Sequence, residues 1–269
     1  MNQTTISIID KELEAHISYL PAQVAEVMAY SALSGGKRLR GYMVLEIARL
    51  CGGEAGFVSA RPLAAAIEMV HAYSLVHDDL PCMDDDELRR GKPSVHKRYG
   101  EWKAVLCGDA LLTHAFTVIT KATLHSAAAV DAVRVLSTAS GASGMIDGQW
   151  RDSEDPVKPD AKSDDPKSDD RLEEILITYQ KKTGALFTAA AELGVIGGNG
   201  SMQERREAAE FGRLFGLAFQ LKDDLDDVKQ DRLQNKQTAA TLLGEQKTSE
   251  LINKILAQLE NNMFKGIFD

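Results

Sequence analysis

The sequence predicts a single all-α domain arranged as a helix bundle. Apolar residues recur at helical spacing over most of the 269 residues, alanine and leucine are plentiful, and the prolines cluster in connections. Several segments are apolar on more than one face, which is typical of helices buried at the centre of a bundle. Because 44% of the residues are apolar, the chain has enough hydrophobic material for one large core.

The predicted helices follow one another along the chain. In KELEAHISYLPAQVAEVMAYSAL, apolar residues stand at helical spacing on both sides of Pro21, which is expected to end one helix and begin another. Further stretches of the same character are YMVLEIARLC, RPLAAAIEMVHAYSLVHDDL, WKAVLCGDALLTHAFTVITKATL, AAAVDAVRVLSTASGASGMIDGQW, LEEILITYQKKTGALFTAAAELGVIGG, QERREAAEFGRLFGLAFQLKDDLDDV and TSELINKILAQLENN. We therefore expect one domain over residues 1–269.

One polar segment interrupts this pattern between Asp152 and Arg171. Val157 is its one large apolar residue, and it contains the near-repeat KSDDP and KSDDR. This composition predicts a mobile, solvated insertion between two helices, residues 152–171. Its acidic pairs are not expected to bind metal, because nothing in the segment enforces a geometry.

Charge and cysteine content limit the possible partners and compartments. The net charge is −9 and the sequence pI about 5.2, which argues against nucleic-acid binding but permits a phosphorylated substrate. The cysteines Cys51, Cys82 and Cys107 are odd in number and lack CxxC spacing, as expected for reduced thiols. No apolar run reaches the ~18 residues of a membrane span, and no leader is apparent. We expect a cytoplasmic protein without a membrane span.

The stretch LVHDDLPCMDDDELRRG, residues 75–91, collects acidic residues directly after an apolar segment. If the preceding residues form a helix, His71, Ser74 and Asp78 share one face, and Pro81 should end the helix near Leu80. Carboxylates at a helix C-terminus are penalised by roughly 0.3–1 kcal/mol each. A divalent cation would compensate, and Mg²⁺ suits a site that supplies one or two carboxylates and leaves other positions to water and phosphate.

A second acidic cluster lies in FQLKDDLDDVKQD, residues 219–231. On a helix, Asp223 and Asp227 are one turn apart on one face, with Asp224 beside them, so they could share a hard cation. A lone acidic run is usually a solvated helix face. Two such runs, each continuing an apolar helix, favour metal binding instead.

Basic groups that could hold a phosphorylated ligand stand in three further stretches. They are GGKRLRG with Lys37, Arg38 and Arg40, ELRRGKPSVHKRYG with Arg89, Arg90, Lys92, Lys97 and Arg98, and YQKKTGALF with Lys181, Lys182 and Thr183. The planar guanidinium group of arginine matches the geometry of phosphate oxygens. Any one of these basic groups alone would more simply be a solvent-exposed charge that keeps the protein soluble. Together with the acidic clusters, they predict a metal-bridged diphosphate site above an apolar compartment.

These motifs resemble those of the trans-prenyl diphosphate synthases, the isoprenoid chain-elongation family. The stretch LVHDDLPCMDDDELRRGKPSVH is similar to the first aspartate-rich motif of the family, and FQLKDDLDD is similar to the second. The blocks GGKRLR, GDALL, GMIDGQ and KTGAL resemble further family blocks in the same order, so the resemblance covers residues 33–227. It is closest to bacterial farnesyl and plant-type geranylgeranyl diphosphate synthases. It implies the isoprenoid synthase fold, an antiparallel helix bundle with a central active-site cavity, and a homodimer.

The resemblance also implies a role for each site residue. Several Mg²⁺ ions would be held by Asp78, Asp79 and Asp84 of the first motif and by Asp223 of the second, with Asp224 and Asp227 supporting it. The allylic diphosphate would be held by Arg89 and Lys182, with Gln220 close by and Thr183 near the reacting carbons. Isopentenyl diphosphate would be held by Lys37, Arg40, His71 and Arg90, and Lys236 is the weak counterpart of a later family lysine.

In the family, the residues four and five positions before the first aspartate pair govern product length. Here they are Ser74 and Tyr73, and the bulky Tyr73 resembles the farnesyl (C15) enzymes. The resemblance thus implies a Mg²⁺-dependent enzyme that condenses isopentenyl diphosphate with dimethylallyl or geranyl diphosphate to farnesyl diphosphate through an allylic carbocation. A geranylgeranyl diphosphate synthase is the first alternative.

A non-catalytic subunit of a heteromeric prenyl synthase is an alternative of a different class. The intact acidic clusters disfavour it, because a structural subunit has no use for concentrated like charge. The short stretch VKQDRLQNKQTAATLLG after Asp227, which departs from the family pattern, keeps it open. A terpene cyclase is disfavoured, because the second motif lacks the Asn/Ser/Glu pattern of those enzymes.

Overall fold

The structure of the chain is a computed structural model that describes residues 1–154, 168–233 and 236–268. Helices occupy most of these residues, as the sequence predicts. In chain order they are α1 (Gln3–Ile17), α2 (Ala22–Ala32), α3 (Leu39–Ser59), α4 (Arg61–Asp78), α5 (Val95–Tyr99), α6 (Glu101–Ile119), α7 (Ser126–Ser140), α8 (Met145–Glu154), α9 (Ser168–Tyr179), a π-helix (Gln180–Gly184), α10 (Ala185–Gly197), α11 (Met202–Leu233), α12 (Ala239–Leu243) and α13 (Glu245–Leu259).

The chain forms two compact units. The first comprises Met1–Arg134, Glu192–Ser201 and Ile267–Asp269, and the second comprises Val135–Ala191 and Met202–Gly266.

Helix α4 lies at the centre of the first unit and packs against α1, α2, α3 and α6. Its residues from Pro62 to Val70 are all buried, which explains why the sequence is apolar on every face there. The helix begins with a proline in its first turn and ends at Asp78, three residues before Pro81, as predicted. The predicted break at Pro21 is also confirmed, since α1 ends at Ile17 and α2 begins at Ala22.

A short β-hairpin follows α4 and was not predicted. Among the described residues the strands are β1 (Leu88–Arg89) and β2 (Lys92–Pro93), paired antiparallel. The two turn residues, Arg90 and Gly91, have φ angles of 54° and 75°. Positive φ at both central positions is the requirement of a tight hairpin turn whose twist matches its strands. The turn therefore places Arg89 and Arg90 at the hairpin tip.

Helix α11, with 32 residues, organises the second unit. It packs against α9, the π-helix, α12 and α13, and an aromatic row of Phe211, Phe215 and Phe219 runs along it. Gly216 allows a close approach, because a Cβ at that position would lie 2.7 Å from the Cα of Gly184 in the π-helix. Helix α11 thus packs directly against the π-helix that carries Lys182.

The two ends of the predicted polar insertion are helical. Helix α8 continues through Asp152 to Glu154, and α9 begins at Ser168. The prediction of a loop from Asp152 is therefore wrong at both margins, and residues 155–167 lie outside the described part of the chain. The physical reason at the first margin is an ion pair that Asp152 makes with Lys182.

One helix departs from the expectation that no segment could span a membrane. Helix α6 is long enough and, with a mean hydropathy of 1.2, apolar enough to meet the usual criterion, and 39% of that stretch is buried. This is weak support for a span, because the core helix of a soluble protein passes the same test. Here α6 packs along α4, and its Gly108 lies directly against the ring of His77.

Candidate active site

The C-terminus of α4 carries the first acidic cluster. Asp78 is the last helical residue and half-buried, Asp79 caps the helix and is buried, and Asp84 is exposed in the following turn. The chain folds back at once, since the backbone N–H of Asp84 donates to the carbonyl of Asp78 at 2.9 Å. This turn brings three carboxylates to one helix end, where the helix dipole disfavours them.

Arg89 of the hairpin compensates for that charge. Its Nε donates to Asp79 Oδ1 at 2.9 Å, its Nη2 donates to the same oxygen, and Nη2 also reaches Asp86 at 2.9 Å. Burial raises the pKa of Asp79, and the hydrogen bond from Arg89 offsets part of that rise. Arg89 thus links the first acidic cluster to the hairpin that carries the basic residues.

A small electropositive cavity, the arginine pocket, lies beside this pair. Its volume is about 30 Å³, room for about one water molecule, and its charged or polar lining includes Arg38, Glu68, His71, Asp79, Arg89 and Arg90. Glu68 is buried, accepts the backbone N–H of Gly41 at 2.8 Å and pairs with Arg38 at 3.7 Å. Positive groups outnumber negative ones there, so the pocket is suited to the oxygens of a phosphate.

The pKa of His71 indicates how strongly positive its surroundings are. Burial lowers its pKa well below 6.5, and the guanidinium groups of Arg40, Arg90, Arg38 and Arg89 lower it further. Burial also lowers the pKa of Arg40 to about 10, against the opposing effect of Glu68. His71 is therefore a neutral hydrogen-bonding group in the free protein, surrounded by four fixed cations.

The residues predicted to hold isopentenyl diphosphate are partly brought together. His71 and Arg90 line the arginine pocket, and Arg40 lies near enough to act on His71. Lys37 is exposed in the loop before α3. Arg38, one of the basic residues predicted to hold a phosphorylated ligand, and Glu68, which was not predicted, line the pocket as well. The basic run GGKRLR signals Arg38, whereas a single glutamate in an apolar helix carries no comparable signal.

Tyr73 and Ser74 lie outside the lining of the arginine pocket. The Tyr73 ring is buried edge-on against His77 at 5.8 Å, and His77 Nε2 lies 3.0 Å from the carbonyl of Val105 in α6. Burial, followed by the charge of Asp78, raises the pKa of Tyr73 to about 12. The Ser74 hydroxyl donates to the carbonyl of His71 at 3.0 Å. Tyr73 therefore lies on the side of α4 that faces α6.

The second unit holds the other acidic cluster on α11. Asp223 is half-buried and Asp227 is exposed, one helical turn apart as predicted. Asp224 is buried, with 4% of its surface exposed, and Gln220 one turn earlier donates to it at 3.4 Å. The hydroxyl of Thr183 donates to Gln220 at 2.8 Å. The structure therefore joins Thr183, Gln220 and Asp224 in one hydrogen-bonded chain.

The two lysines of the π-helix have carboxylate partners on α8. Lys181 lies 2.6 Å from Asp147, and Lys182 pairs with Asp152. The helices touch closely, because a Cβ on Gly148 would lie 2.1 Å from the backbone nitrogen of Lys182. Asp152 was assigned to the polar insertion and so was missed as a site residue. Its pairing shows that Lys182 is already held near an anion.

Lys236 is exposed just before α12, and its backbone N–H donates to the carbonyl of Asp231 at 2.8 Å.

Within the residues that the structure describes, no group of three or more His, Cys, Asp or Glu side chains could hold a metal ion. The donor set still fits Mg²⁺, which takes one or two protein carboxylates and completes its coordination with water and substrate phosphate. Asp78 with Asp84, and Asp223 with Asp227, supply such oxygens.

A model of the polyprenyl synthetase family matches residues 21–267 of the chain. The chain belongs to this family. The resemblance drawn from the aspartate-rich motifs is therefore confirmed, and so is the predicted class of enzyme fold. As a polyprenyl synthetase, the chain is expected to act on isoprenoid diphosphates, which fits the electropositive arginine pocket.

Named relatives of this polyprenyl synthetase include plant enzymes. The chain is 38% identical over 268 residues to the chloroplastic heterodimeric geranylgeranyl pyrophosphate synthase large subunit 1 of Arabidopsis thaliana, covering 94% of this chain and 70% of the relative. It is also 38% identical over 258 residues to the chloroplastic geranylgeranyl pyrophosphate synthase 3 of the same plant, covering 90% and 69%.

Solved structures support the same assignment. The apo structure of an FPP/GFPP synthase from Zymomonas mobilis matches with a TM-score of 0.83 at 34% identity, covering 96% of this chain and 90% of that one. A putative farnesyl-diphosphate synthase from Marinomonas sp. MED121 matches with a TM-score of 0.78 at 34% identity, covering 95% and 88%. The all-α isoprenoid synthase fold expected from the motifs is thus confirmed for this polyprenyl synthetase.

Lowering the pH should destabilise the protein through His71. In the unfolded chain the imidazole binds a proton near its ordinary pKa of about 6.5, whereas in the folded protein the pKa lies well below that value. Below pH 6.5 the unfolded state therefore takes up the proton and the folded state does not, so the free energy of unfolding falls. Urea unfolding at pH 7 and pH 5.5, followed by circular dichroism, measures the fall.

The matched variant is His71→Gln, which cannot titrate. Wild type should lose about 1 kcal/mol more than this variant between the two pH values, because each pKa unit corresponds to about 1.4 kcal/mol. Equal losses in both proteins would contradict the burial of a neutral imidazole at this position.

Proposed function

We propose that the chain is a Mg²⁺-dependent trans-prenyltransferase that condenses isopentenyl diphosphate with dimethylallyl or geranyl diphosphate to give farnesyl diphosphate. The observation that carries the proposal is the arginine pocket beside Asp79, where His71 feels the charge of Arg38, Arg89 and Arg90 in the lining and of Arg40 nearby. Such a concentration of fixed cations favours the binding of a polyanion, and the family supplies one in its diphosphate substrates. The family match gives the class of reaction, and the roles of individual residues are our proposal.

The basic residues would bind and orient the two diphosphates. Arg90 and Arg40, with His71 as a neutral donor, suit isopentenyl diphosphate, and Lys37 in the adjoining loop would add a further cation. Arg89 and Lys182 suit the allylic diphosphate. Arg89 and Lys182 already have carboxylate partners, Asp79 and Asp152 respectively. An arriving diphosphate would replace these carboxylates as the anionic partner. Preorganised cations cost little to reorganise when the leaving group gains charge.

The carboxylates Asp78, Asp79 and Asp84, together with Asp223, Asp224 and Asp227, are the expected holders of magnesium. When bound, magnesium neutralises charge on diphosphate oxygens and so assists departure of the leaving group. The buried apolar body of α4 would exclude water from the allylic carbocation, which prevents its hydrolysis. The hydroxyl of Thr183, held by Gln220, would lie near the reacting carbons.

Geranylgeranyl diphosphate is the second candidate product. The plant relatives reported above are named as geranylgeranyl synthases, and this name supports a C20 product at least as strongly as Tyr73 supports a C15 one. One of them is named as the large subunit of a heterodimer, which keeps a heteromeric assembly among the candidates. The cytoplasmic location inferred from composition stays a prediction, because these relatives are named as chloroplastic.

A homodimer is our proposal for the assembly. The outward side of α6 carries Trp102 with 66% of its surface exposed, Leu106 with 56% and Val105 with 41%. Large apolar side chains grouped on one exposed helix face are typical of a covered interface. The same residues explain the high hydropathy of α6 without a membrane.

The purified chain should make a prenyl diphosphate from isopentenyl and dimethylallyl diphosphates only when Mg²⁺ is present. Asp78→Ala and Asp227→Ala should each lower the rate by at least about 100-fold, because each removes charge that stabilises the departing diphosphate. Asp226→Ala is the matched control, since Asp226 is exposed and pairs with Lys222 on the same helix. Radiolabelled product extraction measures the rates. A chain inactive under all conditions would support the non-catalytic subunit instead.

Replacing Tyr73 by alanine should lengthen the product. If the ring limits the depth of the apolar compartment, Tyr73→Ala removes that limit, and the main product should shift from C15 to C20 or longer. Tyr19→Ala, at an exposed tyrosine between α1 and α2, is the control. Reversed-phase chromatography of the dephosphorylated products gives the distribution. A wild-type C20 product would establish the second candidate, and an unchanged distribution in Tyr73→Ala would remove the role of the ring.

Sedimentation equilibrium should give a mass of two 29.3 kDa chains. Trp102→Glu should weaken the association by at least about tenfold, because it places a charge in an apolar interface. Trp150→Glu is the matched control, as Trp150 is equally exposed on α8. A wild-type protein that sediments as one chain would contradict the homodimer.

A further inference from the structure

The imidazole ring of His77 is fixed between α4 and α6 in the first unit. His77 lies in the last turn of α4, one residue before Asp78. Its Nε2 lies 3.0 Å from the carbonyl of Val105, and because a carbonyl oxygen can only accept, Nε2 carries the proton and donates. Gly108 lies directly against the ring, since a Cβ at that position would be 2.0 Å from Nε2. The backbone of α6 therefore fixes the position and the orientation of the ring.

The buried side of α6 carries small residues along this contact. Ala104, Cys107 and Gly108 are all buried, and α6 packs along α4. Side chains of this size leave space between two helices, and Tyr73 and His77 extend from α4 toward it. These two rings are one helical turn apart, so they lie on the same face of α4. A larger residue at Gly108 would take the space that the imidazole occupies.

The Tyr73 ring is held in turn by His77. The two ring centroids are 5.8 Å apart with an angle of 82° between the planes, an edge-on contact, and Tyr73 is only 6% exposed. Tyr73 can swing toward His77 only if the imidazole withdraws. Gly108 and the hydrogen bond to the carbonyl of Val105 leave the imidazole no free path toward α6. The orientation of Tyr73 thus depends on contacts made by its neighbour.

We propose that His77 is a positioning residue for product length. Fixed by Gly108 and by the carbonyl of Val105, it holds the Tyr73 ring in the place where that ring limits the apolar compartment. This inference rests on the proposed function, including the role proposed there for Tyr73. It assigns a part in specificity to His77 and Gly108, for which the motifs imply none, and it extends the control of product length from α4 to α6.

The first test is the product distribution of His77→Ala. The share of products longer than the main wild-type product should rise by at least about threefold, because the Tyr73 ring loses its edge contact and can swing aside. In a Tyr73→Ala background, His77→Ala should lengthen the product no further, since it acts through that ring. An unchanged distribution in His77→Ala, or the same further lengthening in both backgrounds, would overturn the proposal.

The matched control for this test is His125→Ala. His125 is exposed, and its Nδ1 accepts the backbone N–H of Ala128 at 3.2 Å in the first turn of α7. Its replacement removes a histidine and a local hydrogen bond, but it leaves the contact between α4 and α6 unchanged. The product distribution of this variant should equal that of wild type. A shift as large as that of His77→Ala would show a general effect of lost stability and would overturn the proposal.

The second test is a double-mutant cycle of Gly108→Ala and His77→Ala, followed by urea unfolding. In the wild-type background, Gly108→Ala should lower the urea midpoint, because its Cβ displaces the imidazole. In the His77→Ala background, the same change should be neutral or raise the midpoint, because the ring is gone and alanine favours a helix more than glycine does. Losses of equal size in both backgrounds would overturn the proposal. If Gly108→Ala alone does not fold, a folded double variant supports the proposal and an unfolded one contradicts it.

The failure of this inference is distinguishable from the failure of the proposed function. An active wild type with an unchanged product length in His77→Ala overturns the inference alone. If wild type makes no prenyl product, the proposed function fails, but the urea cycle needs no turnover. The Tyr73 ring is then followed by NMR of isotope-labelled tyrosine, with Tyr73→Phe assigning its signal. That signal should shift in His77→Ala and not in His125→Ala, and an unshifted signal in His77→Ala would overturn the inference.

Discussion

Charge balance is the constraint on which the candidate site depends. Arg89 neutralises Asp79 at the end of α4, Arg38 pairs with Glu68, and Lys182 pairs with Asp152. An isolated charge in such a partly buried position is disfavoured by the loss of solvent, and an oppositely charged partner reduces that cost. A diphosphate with its metal ions brings both signs of charge and can replace either partner. The same pairs would therefore favour a ligand that is itself anionic and metal-bound.

Much of the fold could be predicted from the sequence, because the spacing of apolar residues indicates the helices and the prolines indicate where helices end. The apolar run from Pro62 to Val70 predicts a central helix, and Pro21 and Pro81 predict the breaks on either side of real helices. The hairpin at Arg90 and Gly91 was missed because strands of two residues have no period to detect, and its signal is only the backbone preference of a turn. The margins of the polar segment were misjudged because helical order there depends on partners distant in sequence, such as Lys182 for Asp152.

The sequence was sufficient to locate the motifs of the candidate site, but it was less informative about the role of each residue in them. Aspartate spacing on α11 places Asp223 and Asp227 on one face, since helix geometry fixes that relation. Asp224 follows Asp223 directly, and the rotation of about 100° between successive helical residues turns its carboxylate into the protein interior. Glu68 carries no sequence signal, because a buried glutamate is recognised only when its hydrogen-bond partners are known.

The π-helix from Gln180 to Gly184 has a consequence for how the sequence can vary. An i→i+5 turn accommodates one residue more than an α-helical turn, so loss of a single residue there would convert the stretch into regular α-helix. The flanking helices would stay in register, because the wide turn absorbs the extra residue, but the turn that presents adjacent Lys181 and Lys182 to Asp147 and Asp152 would be lost. The segment can therefore exchange side chains far more readily than it can change its length.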